Sequence, residues 1–223
     1  MAKNKKEYIP IYICGDGEHS DKFMTIEALP EKLLSNYDEY VKYVKGCEAM
    51  VRDDDRYTAY IAKLKSGGFD TCAVMGKLPT DNKKIKIEMH HGPIFNLFDY
   101  CDIVLKALLK DGRKDITTPK IADIILDEHE ADTIMVVMLS KFVHKGGAHN
   151  LKSYKGLFVD IKSTFGRIDR FIDKWSRGME SEHYQYIEKY MKECKKASGK
   201  TLDNGLFDVA DRLKNFHEKN NNE

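Results

Sequence analysis

The pattern of apolar and polar positions predicts a strand near the middle of the chain's first half. Ile85, Ile87 and Met89 alternate with lysine and glutamate over residues 84–90, which is the period-two pattern of a half-buried strand. Residues 7–14 and 22–28 have a looser version of the same pattern, and a glycine-rich turn separates them. These two segments therefore predict a hairpin.

A further strand is predicted at residues 71–75, where the short apolar run Cys-Ala-Val-Met follows Thr71. A loop with turn residues connects this run to the strand at 84–90, so we expect the two to pair. Together with the N-terminal hairpin they would form one small antiparallel sheet.

Apolar residues at three- and four-residue spacing predict helices over much of the remaining chain. The first predicted helix opens at Pro30 and is interrupted at Gly46, and the second includes Tyr57 and Leu64. Three aspartates, at residues 53–55, lie between the two helices. They could bind a hard cation, but a solvated helix N-terminus is the favoured interpretation, because acidic groups stabilise the positive end of a helix.

Two later helices have recognisable start signals. Asn96 is expected to cap a helix that runs to about Lys110, and Thr118 to cap one with Pro119 in its first turn. We expect the second helix to continue from residue 120 to about residue 145. Its segment 134–139 is apolar all round and should be buried; the β-branched residues there leave a strand as the alternative.

The remaining segments predict a mostly helical C-terminal half with one short strand at residues 157–161. Helices are predicted around Ile168 and Trp175, over residues 179–194 and over residues 201–217. The fold class is therefore α+β, with a small antiparallel sheet in the N-terminal half packed with helices. We expect three regions, 1–92, 93–175 and 176–223, packed as one compact unit.

Composition narrows the possible function classes. The chain has 37 Lys and Arg residues against 36 Asp and Glu residues, which argues against a generally basic coat but permits a local basic cleft. There is no apolar run near the roughly 18 residues that would indicate a membrane span. The five cysteines form no Cys-x-x-Cys pair, so a cytosolic location is favoured over a disulfide or zinc framework.

Histidines supply the candidate chemistry. His90 and His91 end the predicted strand, and His144 and His149 flank Gly146-Gly147. Imidazole is a common ligand of divalent metals, and a free imidazole can take a proton from an attacking water. Such parts fit metal-dependent phosphodiester cleavage, although a strand capped by two half-exposed histidines is the simpler interpretation of the pair.

A third position, His129, lies between two glutamates. His129 with Glu128 or Glu130 could provide a metal ligand. The favoured interpretation is the polar face of a helix, since no second histidine follows at the spacing of a metalloprotease motif.

Residues 85–104 resemble a group of bacteriophage proteins that have an Ile-Glu-x-His-His strand followed by a helix. The segments 139–144, with Leu-Ser-x-x-Val-His, and 165–171, with Phe-Gly-x-x-x-x-Phe, are similar to later parts of the same group. The resemblance covers roughly residues 57–175. These phage proteins resemble divergent HNH-type (ββα-metal) endonucleases.

The resemblance implies a set of roles at matching positions. His90 and His144 would be ligands of a divalent metal ion (Mg, Mn or Zn), and His91 the general base. The asparagine that orients the base in HNH sites has no counterpart before His144, so Ser140 is the substitute. The implied substrate is DNA, and the implied place of action is the cytoplasm of the bacterial host.

Two hypotheses follow from these residues and from the resemblance. The first is a phage metal-dependent endonuclease that cleaves DNA phosphodiester bonds. The second is a catalytically inactive, HNH-derived phage accessory protein that binds a phage or host protein or nucleic acid. The missing asparagine and the balanced charge favour the second hypothesis; the order of the three histidines favours the first.

Overall fold

The computed structural model describes residues 8–12, 23–27, 35–76, 86–145 and 159–198 of the chain. The predicted helix at 201–217, His149 and most of the predicted strand at 157–161 lie outside these described residues.

The N-terminal hairpin is confirmed. Strand β1 (Tyr8–Tyr12) pairs antiparallel with β2 (Phe23–Glu27), in a register that places Tyr8 opposite Glu27 and Tyr12 opposite Phe23. This pair forms a two-stranded sheet of its own, so the prediction of a single sheet for all N-terminal strands was wrong.

The second sheet has three antiparallel strands in the order β3–β4–β5. Strand β3 (Ile87–His91) pairs with β4 (Val136–Ser140), and β4 pairs with β5 (Thr164–Phe165). The partner of β3 is therefore β4 and not the segment at 71–75, which contributes a turn whose Ala73 N–H donates to Met138 O at 2.8 Å. The prediction that the sheet lies wholly in the N-terminal half was also wrong.

The α+β class is confirmed by the helices around this sheet. Their bounds are α1 (Tyr37–Asp53), α2 (Asp55–Ser66), α3 (Leu97–Lys110), α4 (Thr118–Glu130), α5 (Lys141–Val143), α6 (Ile168–Trp175) and α7 (Ser181–Ser198). Of the described helices, none has the length and apolar character needed to cross a bilayer.

Helices α2, α3 and α4 each begin at a residue whose side chain caps the helix N-terminus. Asn96 caps α3 and forms a reciprocal capping box with Asp99. Asp54 caps α2, which confirms the helix N-terminus interpretation of the three aspartates. The cap of α4 is Thr117, one residue before the predicted Thr118, so Pro119 still lies in the first turn.

Two predicted helix boundaries were wrong. Helix α1 continues through Gly46, because a glycine inside a helix costs only about 1 kcal/mol and the rest of the apolar face is intact. The predicted helix over 120–145 ends at Glu130, and the chain turns at Asp132, whose φ is 56°. The apolar run that follows is the buried strand β4, in which every side chain is buried.

One apolar core joins helices α1 to α4, α6 and α7. It includes Val44, Tyr100, Ile125, Phe171 and Ile187, all nearly inaccessible to solvent. Gly178 makes a close approach possible here, since a Cβ at this position would lie 1.9 Å from Ile103 O on α3. The β3 strand lies at the margin of this core, where one of its faces is buried and the other is half-exposed.

Candidate functional site: two histidines on opposite faces of one strand

Strand β3 directs its two histidines to different environments. Successive side chains of a strand point to opposite faces of the sheet. His91 accordingly lies on the same face as buried Met89, whereas His90 shares the half-exposed face with Glu88. The adjacent pair therefore does not form a single site.

On the buried face, His91 is hydrogen-bonded to His129 of α4. The two Nε2 atoms are 3.0 Å apart, and His129 Nδ1 lies 2.7 Å from Ile125 O. Because a carbonyl oxygen can only accept, His129 Nδ1 carries a hydrogen and its neutral Nε2 is an acceptor. His91 Nε2–H is then the donor of the hydrogen bond between the rings.

Tyrosines enclose this histidine pair. The His91 ring is stacked on Tyr57, with ring centroids 5.9 Å apart and an interplanar angle of 11°, and His129 packs edge-on against Tyr57 and Tyr60. His91 and His129 are only 3% and 1% exposed. Burial lowers the pKa of His129 to about 4 and holds the pKa of His91 well below its ordinary value, so both rings are neutral at physiological pH.

On the other face, His90 meets His144, which follows the short helix α5. Their ring centroids are 5.0 Å apart in an edge-to-face arrangement. His144 Nδ1 is 2.8 Å from Glu88 Oε2, with both side chains about one-fifth exposed. Partial burial acts to raise the pKa of Glu88, but the hydrogen bond with His144 and nearby positive charges outweigh it and lower that pKa.

His90 and His144 line a cleft of about 680 Å³. Helix α1 supplies one wall through Lys45, Glu48 and Arg52, which fall on one helix face by their spacing. The end of β3 and the loop after it, at residues 89–95 and including His91, supply a second wall. The start of α3, at residues 96–99, and Tyr186 of α7 supply the rest. The cleft therefore combines charged, imidazole and aromatic side chains.

The contacts of the Ser140 hydroxyl are with residues outside both histidine groups. Its hydroxyl accepts from Val143 N at 3.3 Å and so caps α5, and it lies 3.7 Å from Met75 Sδ. Ser140 is 1% exposed. These contacts do not test the expectation that Ser140 orients a catalytic base. They show that Ser140 caps α5.

Among the described residues, no three-ligand metal centre is present. Across the described ranges, no group of three His, Cys, Asp or Glu side chains is placed to hold a metal ion. A catalytic site commonly has three protein ligands. His90 and His144 are close together, but Glu88 is hydrogen-bonded to His144 and His91 faces the core.

Two features of the site were not predicted from the sequence. His129 was assigned to the polar face of a helix, but it and Glu128 are buried, so that assignment was wrong. The spacing of His129 from Ile121 and Ile125, at intervals of four, was the signal that it continues an apolar stripe. The other missed feature is the α1 wall, whose Lys45 and Arg52 are seven residues apart.

One family of known proteins matches the chain. A family model described as "Bacteriophage G278-like virion protein" matches residues 4–221, which is nearly the whole chain. No curated protein and no solved structure matches the chain.

Proposed function

Because the chain belongs to the bacteriophage G278-like virion protein family, we propose that it is a binding component of the phage particle and not a hydrolase. It holds a phage or host macromolecule in the cleft between α1, β3 and α3. It acts in the particle and, once the particle's contents enter the cell, in the cytoplasm of the bacterial host.

The burial of His91 is the observation that carries this proposal. A general base needs access to the water that it activates and a pKa near the working pH. His91 is 3% exposed, its Nε2 is engaged with His129, and its pKa is well below the ordinary value. These properties are those of a core residue. They do not suit His91 to be the general base, which is the role that the HNH resemblance implies for it.

A photo-crosslinking experiment in infected cells tests the binding role. A photoreactive amino acid would replace Lys45, which lines the cleft, or Lys114, which is exposed between α3 and α4. We expect Lys45 to give a defined adduct with a phage or host macromolecule, and Lys114 to give none. Equal adducts at both positions, or none at Lys45, would contradict the proposal.

Metal-dependent DNA cleavage is the second candidate function, and one observation favours it. The Glu88–His144 hydrogen bond resembles the carboxylate–imidazole pairs that orient metal ligands, and His90 lies beside His144. His90 and His144 are then the proposed ligands, and DNA the substrate.

A plasmid assay separates the two candidates. Supercoiled plasmid is incubated with the full chain and Mg²⁺, Mn²⁺ or Zn²⁺, with EDTA as a control. The binding proposal predicts no nicking with any metal. Nicking that EDTA and His144→Gln abolish, but that Lys114→Gln at an exposed position away from the cleft leaves intact, would establish the nuclease instead.

A further inference from the structure

We infer that the cleft binds single-stranded nucleic acid, with the phosphates along a basic rim and the bases against aromatic side chains. This inference rests on the proposed binding function and names the partner. The charges and ring faces of the described residues support it.

The rim of the cleft carries exposed cations from three parts of the chain. Lys45 and Arg52 of α1 line the cleft itself. Lys86, which precedes β3, lies beside the cleft on the same strand face as Glu88 and His90, and His90 lines it. The Lys141 N–H donates to Lys86 O at 2.7 Å, which places the start of α5 beside the same strand end. Lys141 and Lys145 both act electrostatically on Glu88.

The acidic groups in the cleft, Glu48 and Asp99, and Glu88 beside it are already paired. Glu48 forms an ion pair with Arg52 at 2.7 Å, and Glu88 is held by His144 at 2.8 Å. Asp99 accepts the Asn96 N–H in the capping box.

Among the described residues, the rim lysines have no such carboxylate partners. Within the part of the chain that the structure describes, none of the following makes an ion pair with a carboxylate: Lys45, Lys86, Lys141 and Lys145. The rim is therefore positive, although the whole chain carries a formal charge of only +1. A local excess of this kind favours an anionic partner.

Ring faces in the same cleft favour a single strand over other anions. Phe98 and Tyr186 both line the cleft and are only partly buried, whereas Phe95 beneath them belongs to the core. Proteins that bind single strands combine a positive groove with aromatic side chains on which bases stack. A base held in a duplex is already stacked and paired, so its faces are not accessible to Phe98 or Tyr186.

Fluorescence anisotropy with labelled oligothymidylate tests the inference on the full chain. The test variant carries Lys45→Glu, Lys141→Glu and Lys145→Glu. The matched control carries Lys110→Glu, Lys114→Glu and Lys189→Glu, an identical charge change at exposed positions elsewhere. We expect the rim variant to bind about tenfold more weakly or worse, with a shallower salt dependence, and the control to bind as the parent does.

Three competitor arms identify the ligand class: the matching duplex, an abasic oligomer of equal charge, and polyglutamate. The inference requires all three to compete less well than oligothymidylate. Equal competition by polyglutamate or the abasic oligomer would indicate simple charge attraction and overturn it, as would equal binding by the rim and control variants.

Failure here is distinguishable from failure of the proposed function. If oligothymidylate does not bind but Lys45 still gives its defined crosslink and plasmid stays intact, only the nucleic-acid assignment is wrong. Metal-dependent nicking of plasmid would instead overturn the binding-only function.

Discussion

The two faces of β3 each carry a histidine, one buried and one half-exposed. On the core face, His91 is 3% exposed and is paired with a second buried imidazole, that of His129. On the cleft face, His90 is half-exposed and lies beside His144, whose other partner is a carboxylate. Adjacent positions in the sequence therefore contribute to the core on one side and to the cleft on the other.

The difference shows that a pair of histidines is not by itself a site. The strand period places neighbouring side chains on opposite faces, so each ring acquires the chemistry of its own surroundings. Desolvation keeps the core ring neutral, whereas the cleft rings retain access to solvent and to charged neighbours. Mutations at the two positions should therefore have effects of different size and kind.

The largest expected effect is on the free energy of unfolding when the core ring is removed. His91→Ala leaves a cavity beneath Tyr57 and deprives His129 Nε2 of its donor, so we expect a loss of about 3 kcal/mol or more. His90→Ala, the matched change one residue earlier, should cost about 1 kcal/mol or less. Urea denaturation of both variants measures the two losses in the free energy of unfolding. Similar losses for the two variants would mean that the faces do not differ as described.

Acid titration should give an effect of similar size from the core face. The pKa of His129 is about 4 in the fold and 6.5 as its ordinary value. A base whose folded pKa is lowered remains neutral while the unfolded chain takes up a proton, so stability is lost as pH falls from 6.5 towards 4. This amounts to about 3 kcal/mol from His129, with a loss of the same sign from His91.

The double variant His91→Leu/His129→Leu isolates that contribution. It replaces both partners of the hydrogen bond with apolar side chains, which leaves no unpaired buried nitrogen between them. We expect its stability to fall less steeply between pH 6.5 and pH 4 than that of the parent. An unchanged slope would assign the acid sensitivity of this pH range to groups other than the histidine pair.

Local sequence signals predicted much of the fold. The Asn96 cap, the helix N-terminus at the three aspartates and the period-two pattern of β3 each depend on near neighbours, and each appears in the structure. The β3–β4 pairing could not be obtained in this way, because a fully apolar run such as 134–139 has no period to distinguish strand from helix. This segment forms a strand because β3 and β5 pair with it on either side.

The site was harder to predict than the fold. The proximity of His90 and His144 agrees with the placement that the resemblance implied, but their metal-binding role and the roles given to His91 and Ser140 remain predictions. The His91–His129 bond joins residues 38 positions apart, and no local pattern specifies such a contact. The face that His91 occupies could have been read from its register with Met89.

The smallest expected effect is on the cleft face, at Glu88. Glu88→Gln removes the charge that faces His144 Nδ1 but keeps an oxygen that can accept a hydrogen bond. Because both side chains retain access to water, we expect the free energy of unfolding at neutral pH to fall by about 1 kcal/mol or less. Glu188→Gln, in the exposed pair of Glu188 with Lys192 on α7, is the matched control and should change it still less. Urea denaturation measures both; a loss at Glu88 as large as that of His91→Ala would show that the cleft face, too, is structural.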